Sequence, residues 1–291
     1  MPTTDTTAPL LVLDMSNLAH RAYYTLGAPE QPDAHRSNRV VHGVLRDVVQ
    51  LQQRFRTPRL AFCFDQGRSQ RYALFPDYKR SRQQRRANDP YLAATHAEVE
   101  QQTERLRTQI LPSLGFRNLF SHDGYEADDL LASLCLDEGR QDEETILITS
   151  DRDLYQVLDG RTNMFSPKHG KTHTPQTFHA EWKLSPRQWI DLKCLAGDEG
   201  DDIPGAAWVG EKTAATHLRG QPVRVRRARE SIAEFIGSPQ HVLNRKLVRL
   251  PFAGTPHLRL QDDQVTKASW RQGIEDAGLV KLLDLLPLCA R

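Results

Sequence analysis

Three carboxylates within four residues stand at the head of an apolar helical pattern near the middle of the chain. The segment 124–131 reads Gly-Tyr-Glu-Ala-Asp-Asp-Leu-Leu, with acids at Glu126, Asp128 and Asp129. In a helix, Glu126 and Asp129 share a face because they are three residues apart. Acids in the first turn of a helix are stabilised by the helix dipole, so the cluster alone favours an acidic helix start. The alternative is a cation site, and acids elsewhere in the chain favour it.

Further acids follow three short apolar runs that are typical of buried parallel strands. The runs are 10–13, 60–64 and 146–149, and the acids after them are Asp14, Asp65, Asp151 and Asp153. Helical segments at 40–55, 90–114 and 128–138 separate the runs, which predicts an α/β fold with a mainly parallel sheet. Because ligands bind beyond the carboxyl ends of such strands, we expect these acids and the helix at Glu126 to meet at one sheet edge.

Two more acids, Asp198 and Asp201, lie in a glycine-rich turn between two predicted helices. Like charges gathered at one edge would raise each other's pKa values, and divalent cations would remove that repulsion. Oxygen ligands favour magnesium, with manganese as an alternative. Two such ions can promote an in-line phosphoryl displacement.

The basic residues are bunched, although the formal net charge is only +2. One group lies at 79–86 and includes Lys79 and Arg82, and a second lies at 224–229. Such patches indicate a polyanionic partner. Acids with neighbouring cations therefore predict metal-dependent phosphodiester chemistry.

The composition is that of a globular chain that can bury a substantial core, with 38% apolar residues among 291. Its four cysteines are far apart and include no Cys-x-x-Cys pair, which favours buried thiols in a reducing compartment. No apolar stretch has the length of a membrane span, and no basic leader precedes one. We expect a cytoplasmic monomer with no membrane partner.

Taken together, the motifs resemble those of the five-prime nuclease family, which contains flap endonucleases, the exonuclease domain of bacterial DNA polymerase I and phage five-prime nucleases. The similar motifs, spread over residues 10 to 220, are Leu-Val-Leu-Asp14, Phe-Asp65, Tyr78-Lys79-x-x-Arg82, Glu126-Ala-Asp128-Asp129, Ser150-Asp151-Arg-Asp153 and Gly197-Asp198-x-x-Asp201-Asp202-Ile-Pro-Gly. The resemblance implies a PIN-like catalytic domain at 1–175 with a helical arch at about 78–111. It also implies a helix-three-turn-helix DNA-binding element and further helices at 176–291.

The resemblance further implies two divalent metal ions. The first would be held by Asp14, Asp65, Glu126, Asp128 and Asp129, and the second by Asp151, Asp153, Asp198 and Asp201. Lys79 and Arg82, at the foot of the arch, match catalytic cations that stabilise charge on the scissile phosphate. Arg21 and Tyr23 resemble residues near the unpaired end of the substrate, where an aromatic ring can stack on a base. Core packing is the alternative for Tyr23.

DNA contacts are implied at a hairpin before the last of these motif helices. The residues concerned are Lys193, Gly205, Val209, Gly210, Lys212 and Thr213, with a potassium ion held by backbone carbonyls of the hairpin. Two positions depart from the family pattern. Trp208 stands where the family commonly has glycine, which matters if that position requires positive φ. Asp202 replaces the usual asparagine and is expected to add an acid near the second metal.

The function implied is a magnesium-dependent, structure-selective five-prime to three-prime exonuclease or flap endonuclease of DNA replication or repair. Its partner would be DNA with free five-prime ends, flaps or nicks. Nothing after residue 220 resembles a polymerase, so a free-standing enzyme is expected. Two alternatives are a DNA-structure-binding protein with weak turnover and a PIN-like ribonuclease; the complete set of acids argues against the first and the predicted DNA-binding element against the second.

Overall fold

A mainly parallel sheet forms the centre of the computed structural model, which describes residues 8–25, 38–140 and 142–290. Within these ranges, six strands pair in the order β3-β2-β1-β4-β5-β6. They are β1 (Leu10–Asp14), β2 (Leu60–Cys63), β3 (Leu119–Phe120), β4 (Thr145–Ile148), β5 (Thr162–Ser166) and β6 (Lys171–His173). Only β6 is antiparallel to its neighbour. The predicted α/β class is confirmed, and the three predicted apolar runs are β1, β2 and β4.

Helices occupy the segments between and after the strands. They are α1 (Met15–Thr25), α2 (Arg39–Phe55), α3 (Arg71–Leu74), α4 (Arg80–Asn88), α5 (Pro90–Arg105), α6 (Leu111–Leu114), α7 (Ala127–Cys135), α8 (Pro175–Trp182), α9 (Gln188–Ala196), α10 (Glu211–Leu218), α11 (Arg226–Phe235), α12 (Pro239–Val248) and α13 (Lys267–Asp276). A π-helical turn joins α5 to α6, so the predicted helix at 90–114 is continuous. Within 278–286, the structure forms only the short 3₁₀ turn Val280–Leu282.

Two hydrophobic cores cover the two faces of the sheet because side chains alternate along each strand. Leu11 and Leu13 point into one core with the α13 residue Trp270, whereas Leu10 and Val12 point into the other with the α9 residue Trp189. Helices from the C-terminal half of the chain therefore pack on both faces of β1. The predicted division of the chain at residues 175 and 176 remains a prediction.

An exposed helix pair, α4 and α5, occupies the segment predicted to form an arch. No side chain of α4 is buried, which fits the absence of an apolar face in its sequence. The carboxylate of Asp89 accepts hydrogen bonds from the backbone N–H groups of Tyr91 and Leu92, both at 3.0 Å, and Pro90 occupies the first turn. These local signals fix where α5 begins.

Neither a membrane span nor a disulfide was expected from the sequence. Across the described ranges, no helix combines the length and the apolar composition needed to cross a membrane. Cys63, Cys135 and Cys194 are buried free thiols, and Cys289 is half-buried.

Candidate active site

A cavity of about 630 Å³ opens beyond the carboxyl ends of the parallel strands. Eight of the nine predicted carboxylates line it, namely Asp14, Asp65, Glu126, Asp128, Asp151, Asp153, Asp198 and Asp201. The side chains of Lys79, Arg82 and Lys193 line the same cavity. Strand ends and the start of α7 thus deliver the acids to one place, as the strand pattern predicts.

Asp14 ends β1 and is almost completely buried, with 5% of its surface exposed. Its carboxylate accepts hydrogen bonds from the backbone N–H of Asn17 at 2.9 Å and from the hydroxyl of Thr149 at 2.7 Å. Burial raises the pKa of Asp14 to about 7, despite these donors. The carboxyl is therefore held in position but its negative charge is poorly compensated.

Asp65 and Asp128 complete this acid-rich half of the cavity. Asp65 follows β2 and accepts hydrogen bonds from the backbone N–H of Ala127 at 2.8 Å and from the hydroxyl of Ser16. Burial and the nearby charge of Asp151 raise the pKa of Asp128 well above its usual range. None of the ion pairs within residues 8–25, 38–140 and 142–290 includes one of these carboxylates.

Lys193 neutralises a different set of acids at the other side of the cavity. Its ammonium lies 2.9 Å from the carboxylate of Asp153 and also pairs with Asp198. Burial raises the pKa of Asp153 to about 7 although Lys193 opposes the shift. For Asp198, burial acts in the same direction, but the charge and hydrogen bond of Lys193 together with backbone hydrogen bonds from Asp201 and Gly200 outweigh it, so the pKa is lowered. The predicted DNA contact Lys193 is thus placed among the acids.

Tyr78, Lys79 and Arg82 connect the foot of the arch to the cavity. The Tyr78 hydroxyl lies 2.9 Å from the carboxylates of both Glu126 and Asp201. Lys79 pairs with Glu126 at 2.5 Å, and Arg82 pairs with Asp201 at 3.0 Å. The pKa of Lys79 is raised because these acids outweigh the effect of its burial.

Asp129 does not take the position expected for a metal ligand. It is fully buried, and its two oxygens accept a bidentate pair of hydrogen bonds from the guanidinium of Arg71, each at 2.7 Å. The same carboxylate accepts from the backbone N–H groups of Phe252 at 2.8 Å and Glu126 at 3.1 Å. A carboxylate with both oxygens occupied in this way joins α7 to α3 and to the C-terminal segment.

Asp202 also faces away from the position expected for it. Its carboxylate accepts hydrogen bonds from the backbone N–H of Ser81, at 2.7 Å, and from the Ser81 hydroxyl. Asp202 adopts the left-handed backbone conformation at φ 57°. It therefore secures the first turn of α4 and is absent from the lining of the acidic cavity.

The donor set fits hard divalent cations, since all of these ligands are carboxylate oxygens. The raised pKa values of Asp14 and Asp128 reflect uncompensated negative charge, which a divalent ion would relieve. Within the part of the chain that the structure describes, no three His, Cys, Asp or Glu side chains already have the arrangement of a metal site. Lys79, Arg82 and Lys193 form ion pairs with these acids, and Arg152 and Lys168 also line the cavity.

Arg21 and Tyr23 lie on α1, away from the acids. Arg21 pairs with Asp47 of α2. Tyr23 is 7% exposed, its hydroxyl lies 3.4 Å from that of Thr95, and the guanidinium of Arg39 lies 3.7 Å from the centre of its ring. The core-packing alternative for Tyr23 therefore describes its position, and an exposed ring for base stacking is not available there.

The hairpin between α9 and α10 begins with a close backbone approach. A Cβ atom at Gly205 would lie 2.3 Å from the carbonyl carbon of Ala196, so this position requires glycine. Val209 is buried, whereas Gly210 and Lys212 are exposed and Thr213 is half-buried. These residues lie together around the start of α10.

Three side chains with clear roles in this geometry carried no decisive sequence signal. Tyr78 belongs to the motif Tyr78-Lys79-x-x-Arg82, in which the two cations carry the predicted chemistry. Arg71 belongs to none of the motifs. Glu211 lines the acidic cavity and pairs at 2.8 Å with Arg152, which lies between Asp151 and Asp153 in the chain. Partners so distant in sequence become visible only when the fold is known.

Comparisons with known proteins agree with this architecture. The model of the 5'-3' exonuclease N-terminal resolvase-like domain matches residues 9–183. The chain belongs to this family. DNA polymerase I of Mycobacterium tuberculosis is 30% identical over 280 residues, covering 89% of this chain but only 30% of the polymerase. A 5'-3' exonuclease of Bacillus subtilis is 30% identical over 218 residues, covering 72% of this chain and 69% of the relative.

Solved structures show the same fold at lower identity. T5 5'-exonuclease, with zinc bound, superposes with a TM-score of 0.68 at 21% identity, covering 83% of this chain and 89% of that chain. The catalytic core of Rad2 in complex with DNA substrate gives a TM-score of 0.58 at 15% identity, covering 96% and 93% of the two chains. The chain spans about 30% of the length of the polymerases it matches.

Proposed function

We propose that this protein is a divalent-metal-dependent, structure-selective 5'-3' exonuclease or flap endonuclease that hydrolyses DNA phosphodiesters. The observation that carries the proposal is the single cavity in which eight carboxylates meet the cationic foot of an exposed helix pair. Family membership and the Bacillus subtilis relative, itself described as a 5'-3' exonuclease, support the reaction class. The T5 structure with divalent metal supports the use of metal ions.

Two magnesium ions, or manganese in their place, fit the two sides of the cavity. Asp14, Asp65 and Asp128, with Glu126, are proposed to hold the first ion, and Asp151, Asp153, Asp198 and Asp201 the second. Asp129 is left out of this set because Arg71 engages both its oxygens. When bound, such ions activate a water and stabilise the leaving oxygen of a phosphodiester.

Lys79 and Arg82 are proposed to stabilise negative charge on the scissile phosphate. In the structure, each is paired with an acid of the cavity, Lys79 with Glu126 and Arg82 with Asp201. When other cations neutralise those acids, the two side chains are available to a phosphate at the same opening. The hydroxyl of Tyr78, between Glu126 and Asp201, keeps both carboxylates in register.

A second cavity, of about 680 Å³, lies between α1 and the helix pair α4 and α5. It shares Asp65, Lys79 and Arg82 with the acidic cavity and adds Arg86 and Arg107. Its volume is that of a small-ligand site, so it suits a short length of single strand rather than a duplex. Passage of an unpaired strand here would select DNA with free five-prime ends, flaps or nicks.

The hairpin at Gly205, Val209 and Gly210, with Lys212 and Thr213, is proposed to hold the duplex through its phosphates. A potassium ion bound by hairpin carbonyls belongs to the same proposal. Contacts of this kind are independent of sequence and weaken with salt. The protein would act as a cytoplasmic monomer in DNA replication or repair.

The test compares two substitutions of the same chemistry, Asp128→Asn in the cavity and Asp202→Asn outside it. Labelled flap, nicked and single-stranded DNA, and matched RNA, are incubated with magnesium. We expect the wild type and Asp202→Asn to cleave flap or nicked DNA at similar rates. Asp128→Asn should lose at least about 100-fold in rate, more than the loss typical of residues that only support metal ligands.

The outcomes separate the proposal from both alternatives. Binding of DNA without magnesium-dependent cleavage would favour a DNA-structure-binding protein. Preferential cleavage of RNA would favour a ribonuclease. Equal cleavage by wild type and Asp128→Asn would show that the acidic cavity is not the catalytic centre.

A further inference from the structure

Trp208 is an exposed aromatic residue in a strained backbone position near the end of the hairpin, three residues before α10. Its surface is 71% exposed, and its φ is 66°. On either side of it, Ala206 and Val209 are buried in the second hydrophobic core. The hairpin is therefore anchored by its neighbours while the indole projects into solvent.

Folding does not explain a tryptophan at this position. A bulky side chain at positive φ is strained, and an exposed indole gains little from burial. The other tryptophans follow the usual pattern, since Trp189 and Trp270 are fully buried and Trp182 is half-buried. A residue that costs stability in this way is a candidate for a binding function.

The surroundings of Trp208 are positively charged. The guanidinium of Arg227 lies 5.9 Å from the centre of the indole. Arg226 and Arg229 are exposed on the same helix as Arg227, Arg224 is exposed just before that helix, and Lys212 is exposed four residues after Trp208. Of the acids on α10 and α11, Glu211 is paired with Arg152 and Glu230 with Arg226, while Glu234 is exposed in the last turn of α11. An aromatic ring among cations is the composition of a nucleic-acid contact.

The chain leads from Trp208 directly to the acidic cavity at the start of α10. Glu211 lines that cavity three residues after Trp208, and its partner Arg152 follows Asp151 directly. Because the proposed function assigns the unpaired strand to the cavity beneath α4 and α5, the hairpin is left for the double-stranded part of a substrate. Duplex DNA offers such a ring the sugars and base edges of its minor groove.

We propose that Trp208 and Arg227 form a contact for double-stranded DNA, with the indole packed against the minor groove and the guanidinium at an adjacent phosphate. The contact rests on the proposed function and assigns a role to the residue that replaces glycine in this hairpin. The contact predicts opposite effects on affinity and stability. Replacing the indole should weaken DNA binding and should leave the folded protein as stable or more stable.

Two substitutions separate strain from binding. Trp208→Asn removes the aromatic ring and relieves strain, because asparagine adopts positive φ more readily than other residues with side chains. Trp208→Phe keeps both the ring and the strain. Affinity is measured by fluorescence anisotropy with a nicked duplex and with single-stranded DNA, using calcium in place of magnesium to prevent cleavage. Thermal unfolding is measured on the same samples.

We expect Trp208→Asn to bind the nicked duplex at least about 5-fold more weakly while its Tm stays level or rises. Trp208→Phe should retain most of the affinity. The loss should appear in KM for flap cleavage, with kcat unchanged. Duplex should also quench the indole emission of the wild type, and this quenching should be absent from Trp208→Asn.

Equal duplex affinity of wild type and Trp208→Asn would overturn the contact, as would a loss confined to single-stranded DNA. A fall in Tm that parallels the loss of affinity would assign Trp208 to folding instead. Wild-type protein that neither binds nor cleaves any DNA would refute the proposed function itself, which is a different result from these.

Discussion

The two sides of the acidic cavity differ in how the negative charge of their carboxylates is compensated. On one side, Asp14 is buried and Asp128 is half-buried, neither forms an ion pair among the described residues, and their pKa values are raised. On the other side, Lys193 lies between Asp153 and Asp198, and the pKa of Asp198 is lowered. The first side therefore depends on an external cation or on protons, whereas the second is partly neutralised by the protein itself.

A third arrangement lies only one residue from Asp128. Asp129 has the same side chain on the same helical turn, but its charge is fully compensated by the buried guanidinium of Arg71. Adjacent helical residues point about 100° apart, so one reaches the cavity and its neighbour reaches α3. Proximity in sequence to a catalytic acid thus says little about whether a carboxylate is available to a metal.

The largest expected effect distinguishes these two neighbours. Asp129→Asn should lower the free energy of unfolding of the metal-free protein by about 3 kcal/mol or more, because it leaves the buried Arg71 without its charge partner. Asp128→Asn should leave that free energy unchanged or raise it, because it removes a desolvated and uncompensated charge. Denaturant unfolding in the presence of a chelator measures both.

Adding magnesium provides the control for that comparison. Magnesium should stabilise the wild type and Asp129→Asn alike, but should have little effect on Asp128→Asn. If Asp129→Asn unfolded at the wild-type denaturant concentration yet lost its response to magnesium, Asp129 would be a ligand and the assignment made from the Arg71 pair would be wrong.

The convergence of the acids was predictable from the sequence because it follows from topology. Asp14, Asp65 and Asp151 each follow an apolar run, and parallel strands place such positions at a common edge. The start of α5 was equally readable, since Asp89 and Pro90 are local signals. The sequence also indicated that a tryptophan in place of glycine at position 208 would be strained if the position required positive φ. The structure shows that φ is positive there.

The partners of those acids were not predictable. Arg71 and Asp129 are separated by 58 residues, and Tyr78 and Asp201 by 123, so no local pattern relates them. The expectation that Asp202 would lie near a metal failed for the same reason, since its partner Ser81 is 121 residues away. Sequence spacing identified which residues could do chemistry, and tertiary packing decided which of them are already occupied.

A smaller effect concerns the pH dependence of the metal-free protein. Burial raises the pKa of Asp14 from 3.8 to about 7, so the folded protein retains a proton that the unfolded chain releases. Stability is therefore lost as the pH rises through the folded pKa, and the same holds for Asp153. Since magnesium binds the ionised carboxylates, we expect the rise in Tm on adding magnesium to be greater at pH 8 than at pH 6.5.

The window from pH 6.5 to 8 is chosen because buried histidines act in the opposite sense below it. Burial lowers the pKa of His20, His42, His96 and His173, so their contribution to stability increases as the pH rises towards 6.5. A magnesium effect on the Tm of the wild type that is the same at both pH values would contradict the raised pKa of the carboxyl groups.

The smallest effect addresses the self-neutralised side of the cavity. Lys193→Met keeps the apolar stem of the side chain but removes the ammonium between Asp153 and Asp198. A metal ion would then no longer compete with that charge, so the magnesium concentration for half-maximal cleavage should fall by roughly 3- to 10-fold, equivalent to about 1 kcal/mol. Lys168→Met is the matched control, because Lys168 lines the same cavity. Among the described residues, the ion pairs of Asp153 and Asp198 are with Lys193 and not with Lys168. A magnesium requirement that rises in Lys193→Met but not in Lys168→Met would contradict this prediction. It would show that Lys193 holds the acids in position for the second metal ion rather than competing with that ion for their charge.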